Sequence, residues 1–296
     1  MKKKKKKILT AMYELELITL CFAVLFMVLS TAEKISGENF GKKLKDTIYY
    51  THSEDTKKNP YEDIYYADAD KTQRYDSYAA KHPEFSREEV VWRVDANLDR
   101  EFYDEMYVRY ADENTDEPLL INKFNRVSDD FVPEYLETIE GTYEATPETV
   151  EAYHRLTKAM KKEGLKIYVV SAYRSVAYQR RLHNGYLRKD DKESVEAYSA
   201  RAGYSEHHTG RALDISQVVN NLDAFEGSEE AEWVYENAYR YGFIVRYKES
   251  QTDVTGYIFE PWHIVYVGEE IAMTMHEEHI ETLEEYVVKY VDHKKP

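Results

Sequence analysis

Residues 205–214 read SEHHTGRALD, and residues 260–263 read EPWH. Together the two stretches offer imidazoles and carboxylates at two places in the chain. Two imidazoles and one carboxylate make a mixed nitrogen and oxygen ligand set that suits zinc with an open coordination position. A further glutamate that does not ligate the metal would supply the base for hydrolysis. The two stretches therefore predict a metallopeptidase site.

The spacing within the first stretch is informative only in combination with the second stretch. His207 and Asp214 are seven residues apart, which places them on one side of neither an ideal helix nor an ideal strand. Gly210 lies between them and indicates a turn or a tight backbone passage. The pair would then converge from a loop and from a strand at 212–216. Taken alone the signal is weak, because a His and an Asp this close occur by chance on many surfaces.

The second stretch places Glu260 three residues before His263. Pro261 between them disfavours a helix, so we expect a bend that enters a strand. His263 would then face a metal, with Glu260 beside it. The alternative is that Glu260 is an acid at the rim of a cleft and that His263 is a hydrogen-bonded strand residue.

Composition limits the classes of function. The chain has 296 residues, of which 32% are charged and 43% are hydrophobic, as in a globular protein with polar appendages. The formal net charge is -16, although residues 2–7 are all lysine. An acidic surface of this kind repels phosphate backbones, so we expect no nucleic-acid partner.

The N-terminal 32 residues have the three parts of an export signal. The lysine block precedes an apolar run at 17–29, and small residues follow it at 30–32. We predict that residues 1–32 are a signal peptide or an N-terminal membrane anchor, which places the remainder outside the plasma membrane. Cys21 is the only cysteine, so we expect no disulfide within the exported part.

The rest of the chain divides into a linker and a domain. Residues 33–85 are polar and rich in tyrosine, and we interpret them as an acidic linker. The predicted domain spans 86–296 and opens with strand-like runs at 90–94 and 119–124. Further predicted elements are helices at 146–162, 176–188 and 229–241, and strands at 165–173 and 243–247. Helices and short strands without regular alternation predict the α+β class.

These motifs resemble the VanY-type D-alanyl-D-alanine carboxypeptidases. The shared pattern is Ser-Glu-His-x-Thr-Gly-x-Ala-x-Asp, followed by Glu-Pro-Trp-His-x-x-Tyr-Val-Gly. The segment SAYRS at 171–175 also follows the family, as do Tyr178 and Gln179. The resemblance covers about residues 86–290. It implies a single peptidase domain of the hedgehog/D,D-peptidase fold, with a small, mainly antiparallel sheet packed by helices.

The resemblance also implies a role for each site residue. It implies three ligands for one zinc ion: His207, Asp214 and His263. It makes Glu260 the general base that activates the zinc-bound water, and Arg174 the group that stabilises the oxyanion. It places Ser205 and Gln179 near the substrate, although roles as turn and helix residues suit these two equally well.

The activity implied is removal of the terminal D-Ala from peptidoglycan stem peptides by an exported, cell-wall enzyme that we expect to be a monomer. One alternative is an L,D-carboxypeptidase that acts on tetrapeptide stems. Another is a non-catalytic wall-binding module, which the tyrosine-rich linker would suit. The stretch HEEH at 276–279 spaces its histidines by three rather than four residues, so we expect a solvated helix face there.

Overall fold

The structure, a computed structural model, describes residues 59–111 and 119–292. The predicted signal or anchor at 1–32 lies outside these residues, as does the predicted linker up to residue 58. No helix in the described part of the chain is long and apolar enough to cross a membrane.

The main sheet has four strands in the order β5-β6-β8-β7, and every neighbouring pair is antiparallel. Its strands are β5 (Tyr168–Ser171), β6 (Ala212–Ser216), β7 (Phe243–Tyr247) and β8 (Glu260–Tyr266). Two smaller sheets accompany it. A parallel pair joins β1 (Arg109–Tyr110) to β2 (Asn125–Arg126), and an antiparallel pair joins β3 (Glu137–Glu140) to β4 (Tyr143–Ala145).

The helices are interspersed with these strands. In chain order they are α1 (Thr72–Ala79), α2 (Arg87–Asp95), α3 (Pro147–Lys162), α4 (Val176–Tyr186), α5 (Lys192–Tyr198), α6 (Glu229–Asn237), α7 (Thr252–Thr255), α8 (Glu269–Glu277) and α9 (Leu283–Tyr290). Short 3-10 turns occur at Ala69–Lys71, Glu206–Thr209, Ala238–Tyr241 and Glu249–Gln251. The predicted α+β class and the mainly antiparallel sheet are confirmed.

Alternate residues of β6 pack on opposite faces of the main sheet. Leu213 and Ile215 are fully buried in a core cluster with Leu156 of α3. Ala212 joins a second cluster that contains Leu283 of α9. Because side chains alternate along a strand, Asp214 points to the same face as Ala212, the face that α9 covers.

The folded unit extends N-terminal to the predicted boundary at residue 86. It begins at Tyr61, and α1 falls inside the predicted linker. Tyr61 and Tyr75 are buried in a cluster with Trp92 of α2. The fully buried Tyr75 donates its hydroxyl to Asp95 at 2.8 Å, which satisfies the polar end of an otherwise apolar ring.

Two predicted strands are wrong. Residues 90–94 lie within α2, which Ser86 caps by accepting a hydrogen bond from the Glu89 amide. Val90, Val91 and Val94 are β-branched and locally favour a strand, but at this spacing they share one helix face and are buried. Residues 119–124 form no strand, and β2 follows them directly.

Candidate active site

Two neighbouring strands and one turn bring three sequence-predicted residues together. Asp214 of β6 lies directly opposite His263 of β8 in the strand register, so both side chains point to one face. His207 comes from the 3-10 turn that precedes β6. One nitrogen or oxygen atom from each of the three side chains lies within 4.8 Å of the others, and all three residues are buried.

The turn between the strand and His207 requires Gly210. Its φ is +68°, in the left-handed region that residues with a Cβ avoid. A Cβ here would also lie 2.9 Å from Leu136 Cδ2, which is closer than van der Waals contact allows. The tight passage predicted from the sequence is therefore present, and it sets the distance between His207 and Asp214.

Hydrogen bonds on the far side of each imidazole fix which nitrogen faces inward. His207 donates its Nδ1–H to the Ala172 carbonyl at 2.7 Å, and its Nε2 lies 3.2 Å from Asp214 Oδ2. His263 donates its Nε2–H to Glu206 at 3.1 Å, and its Nδ1 lies 3.1 Å from Asp214 Oδ1. Such outer partners orient metal-binding histidines, so Nε2 of His207 and Nδ1 of His263 are the nitrogens that face Asp214 and could ligate a metal ion.

The charges around His207 and Asp214 favour the states that bind a cation. Burial alone would lower the pKa of His263, but its hydrogen bonds to Asp214 and Glu206 raise it to about 9, so a metal ion must displace its Nδ1 proton. Burial lowers the pKa of His207 to about 4, helped by the Arg174 charge, so this imidazole is neutral near pH 7. Burial opposes ionisation of Asp214, but at the acidic pH where this carboxyl titrates His207 is also protonated, and the charges of His207 and Arg174 hold the pKa of Asp214 well below the usual range. The site therefore presents a neutral imidazole and a carboxylate, which are the forms that ligate zinc.

Glu260 lies beside the three converging residues. It is 9% exposed, and its Oε2 lies 3.9 Å from His263 Nδ1. Glu260 and Pro261 open β8, and the register of this strand against β7 shifts between Val245 and Tyr247, beside Glu260. Burial raises the pKa of Glu260 to about 8, so this carboxyl can both take up and release a proton near neutral pH.

Arg174 reaches the same site from the segment between β5 and α4. Its Nε donates to Ser171 Oγ at 2.8 Å, and its Nη2 donates to Asp214 Oδ2 at 2.5 Å. These two bonds hold the guanidinium at the edge of the site with further N–H groups available.

All seven site residues predicted from the sequence line one cavity of about 210 Å³. They are Arg174, Gln179, Ser205, His207, Asp214, Glu260 and His263. Trp262 lines the same cavity and also packs against the main core. The structure thus places every predicted site residue in one concave region, which is where binding sites are normally found.

Sequence reasoning missed Ser199, which lies in the loop after α5. Its Oγ is buried at the wall of the cavity and has no hydrogen-bond partner in the described residues. The same holds for Gln179 Oε1, although Gln179 Nε2 donates to the Ala200 carbonyl at 2.9 Å. Buried polar atoms without partners are costly, and a bound substrate would satisfy them.

His208 also has a role that the sequence did not show. It is fully buried, donates Nδ1–H to the Arg174 carbonyl at 2.7 Å and accepts from the Gly203 amide at 3.1 Å. This side chain therefore fixes the backbone that carries Arg174. By contrast, His276 of the HEEH stretch stacks on Tyr239 with ring centroids 3.6 Å apart, outside the group of converging ligand atoms.

Comparison with known proteins gives one family. The VanY family model, described as D-alanyl-D-alanine carboxypeptidase, matches residues 143–269. A D-alanyl-D-alanine carboxypeptidase of Enterococcus faecium is 42% identical over 112 residues, which are 36% of this chain and 35% of that protein. The chain spans about half the length of other curated relatives that it matches.

Two solved structures resemble the fold. The LdcB LD-carboxypeptidase has a TM-score of 0.54 and 30% identity, and the match covers 62% of this chain and 98% of that one. A mutant of the vancomycin resistance D,D-pentapeptidase VanY, in complex with Zn(II), has a TM-score of 0.50 and 31% identity. That match covers 57% of this chain and 97% of that one.

Proposed function

The chain belongs to the VanY family of D-alanyl-D-alanine carboxypeptidases, and from this membership we propose that it is a zinc-dependent carboxypeptidase. Its proposed reaction removes the terminal D-Ala from peptidoglycan stem peptides. The observation that carries the proposal is the buried convergence of His207, Asp214 and His263 in a cavity that Glu260 and Arg174 also line.

The donor set fits zinc. His207 would bind it through Nε2, His263 through Nδ1 and Asp214 through a carboxylate oxygen, because the other ring nitrogens are occupied by Ala172 and Glu206. When bound, zinc polarises the scissile carbonyl and lowers the pKa of water. The related VanY structure in complex with Zn(II) supports this choice of metal.

Glu260 and Arg174 provide the remaining chemistry. Glu260 takes a proton from the attacking water and returns it to the nitrogen of the leaving D-Ala, which balances the hydrolysis. Its buried position keeps the proton available for that second transfer. The guanidinium of Arg174 donates to the oxyanion that forms when the carbonyl is attacked.

The walls of the cavity suit the end of a peptide. Gln179 Oε1 and the hydroxyls of Ser199 and Ser205 line it and can hydrogen-bond peptide N–H or carboxylate groups. Burial leaves the first two atoms without partners, so substrate binding would satisfy them. A volume of about 210 Å³ has room for the terminal residue of a peptide.

The test uses the full chain, purified and loaded with zinc. A pentapeptide stem that ends in D-Ala-D-Ala is incubated with it, and released D-Ala is quantified. We expect release by the unaltered chain and almost none by Glu260→Ala. No release by the unaltered chain, or equal release by the variant, would refute the proposed function.

The second candidate is an L,D-carboxypeptidase that acts on tetrapeptide stems. The likeness to LdcB supports it, because that structure has the higher of the two TM-scores. Mass spectrometry of pentapeptide and tetrapeptide stems after digestion separates the two activities. A non-catalytic wall-binding module predicts no bound metal, so about one zinc per chain in a metal analysis would exclude its simplest form.

We further propose that the protein is exported and held at the outer face of the plasma membrane or in the cell wall. The support is the lysine block and apolar run at the N-terminus. Fractionation of expressing cells tests the location, since the proposal predicts protein in the membrane or wall fraction. Protein confined to the cytoplasmic fraction would contradict it.

A further inference from the structure

A chain of buried polar groups leads away from the candidate metal site. Starting at His263, it passes through Glu206 and Arg246 to Glu284 and Asn122, and we call these five residues the buried polar chain. Each of them is at most 6% exposed. Its far end lies in α9 and in the segment before β2, both outside the residues 143–269 that match the family model.

Each link in the buried polar chain is a hydrogen bond of ordinary length. Glu206 accepts from His263 Nε2 at 3.1 Å and from Arg246 Nε at 2.7 Å. Arg246 donates two parallel hydrogen bonds of 2.9 and 2.7 Å to Glu284, the strong bidentate pairing of a guanidinium with a carboxylate. Asn122 donates to the same carboxylate at 3.0 Å.

Charge gives the buried polar chain a second role. The site and this chain contain four carboxylates, at Asp214, Glu260, Glu206 and Glu284, and two guanidinium groups, at Arg174 and Arg246. With all four carboxyls ionised, the formal sum is minus two, which one zinc ion would neutralise. Because buried charges are poorly screened, removing one carboxylate makes the site less favourable for a divalent cation.

We propose that Glu284 of α9 is a positioning residue for the metal ligand His263, acting through Arg246 and Glu206. This inference rests on the proposed zinc site. Glu284 fixes the guanidinium that holds Glu206, and Glu206 in turn holds the imidazole so that Nδ1 faces Asp214. The last described helix thereby contributes to metal binding, although it carries none of the three ligands.

The test is a zinc titration against a competing chelator, with the full chain and Glu284→Gln. This change keeps the shape of the side chain and removes its charge. We expect zinc affinity to fall by about tenfold or more, as it does when groups behind metal ligands are changed. The visible spectrum of the Co(II)-loaded protein should also change, because it reports ligand geometry.

Val287→Ala is the matched control, since Val287 is buried in α9 among apolar side chains. It should lower the unfolding temperature but leave zinc affinity and the Co(II) spectrum unchanged. Equal zinc affinity in Glu284→Gln and the unaltered chain would overturn the inference. If Glu284→Gln does not fold, Asn122→Ala is used instead, because it leaves the charges of Glu284 and Arg246 in place. This variant must still weaken zinc binding. A failure of the unaltered chain to bind zinc would instead refute the proposed function.

Discussion

Asp214 is the residue on which the candidate metal site depends most. Its two oxygens face the two imidazoles at 3.1 and 3.2 Å, and one of them also accepts from Arg174. Asp214→Asn keeps the size of the side chain but removes the charge. We expect zinc affinity to fall by more than the roughly 10–100-fold that follows changes behind the ligands. Competition with a chelator measures the zinc affinity, and an unchanged affinity would exclude Asp214 as a ligand.

Glu260 should affect the chemical step and not the metal. Glu260→Gln removes the proton acceptor, so we expect kcat to fall by about 10²–10⁴-fold. Zinc content should remain at that of the unaltered chain, because Glu260 stands outside the converging ligand atoms. Loss of zinc together with activity would show that Glu260 is a ligand instead of the base.

Arg174 should act mainly on the transition state. For Arg174→Gln we expect kcat to fall by about 10²–10³-fold, the usual effect of losing one oxyanion donor. Arg180, an exposed arginine on α4 that pairs with Asp129, offers a control. Arg180→Gln should leave kcat unchanged, and a similar loss in both variants would argue for a general charge effect.

At the scale of elements, local signals in the sequence predicted α3, β6 and β7 because proline, glycine and apolar periodicity mark their ends. The register of β6 against β8, which sets Asp214 opposite His263, is a long-range pairing that no local pattern encodes. The predicted strand at residues 90–94 was wrong for a related reason. Their burial against Tyr75 and Tyr78 of α1 favours a helix over the local strand preference of valine.

Gly210 connects the turn that carries His207 to β6. An alanine held in the left-handed conformation costs roughly 1–2 kcal/mol. Gly210→Ala should destabilise the protein by more than this, since the new Cβ would also clash with Leu136. Gly164→Ala is the control, because Gly164 has φ +82° but open space around it. Urea unfolding compares the two variants, and equal losses would show that the contact with Leu136 is unimportant.

At the scale of the whole molecule, tyrosine-rich segments are hard to interpret from sequence. Their hydropathy is low, yet Tyr61 and Tyr75 are buried between α1 and α2. Hydroxyl groups that find partners, such as Asp95, allow such rings to form a core. This is why residues from 61 onward belong to the folded unit, where composition alone predicted a linker.

A substitution at Tyr75 tests whether the folded unit begins at Tyr61. Tyr75→Ala should lower the free energy of unfolding by about 3–5 kcal/mol, as for other large aromatic residues in cores. Tyr135 is 67% exposed, so Tyr135→Ala should change the free energy of unfolding by less than about 0.5 kcal/mol. Denaturant unfolding measures both, and equal small effects would restore the interpretation of this segment as a linker.

The central claim is that this fold holds one zinc ion between His207, Asp214 and His263. The most direct measurement is a crystal structure of the zinc-loaded chain with anomalous data at the zinc edge. We predict a single peak within roughly 2.0–2.2 Å of His207 Nε2, His263 Nδ1 and an oxygen of Asp214. Absence of a peak there, or a zinc ion bound by other residues, would contradict the account.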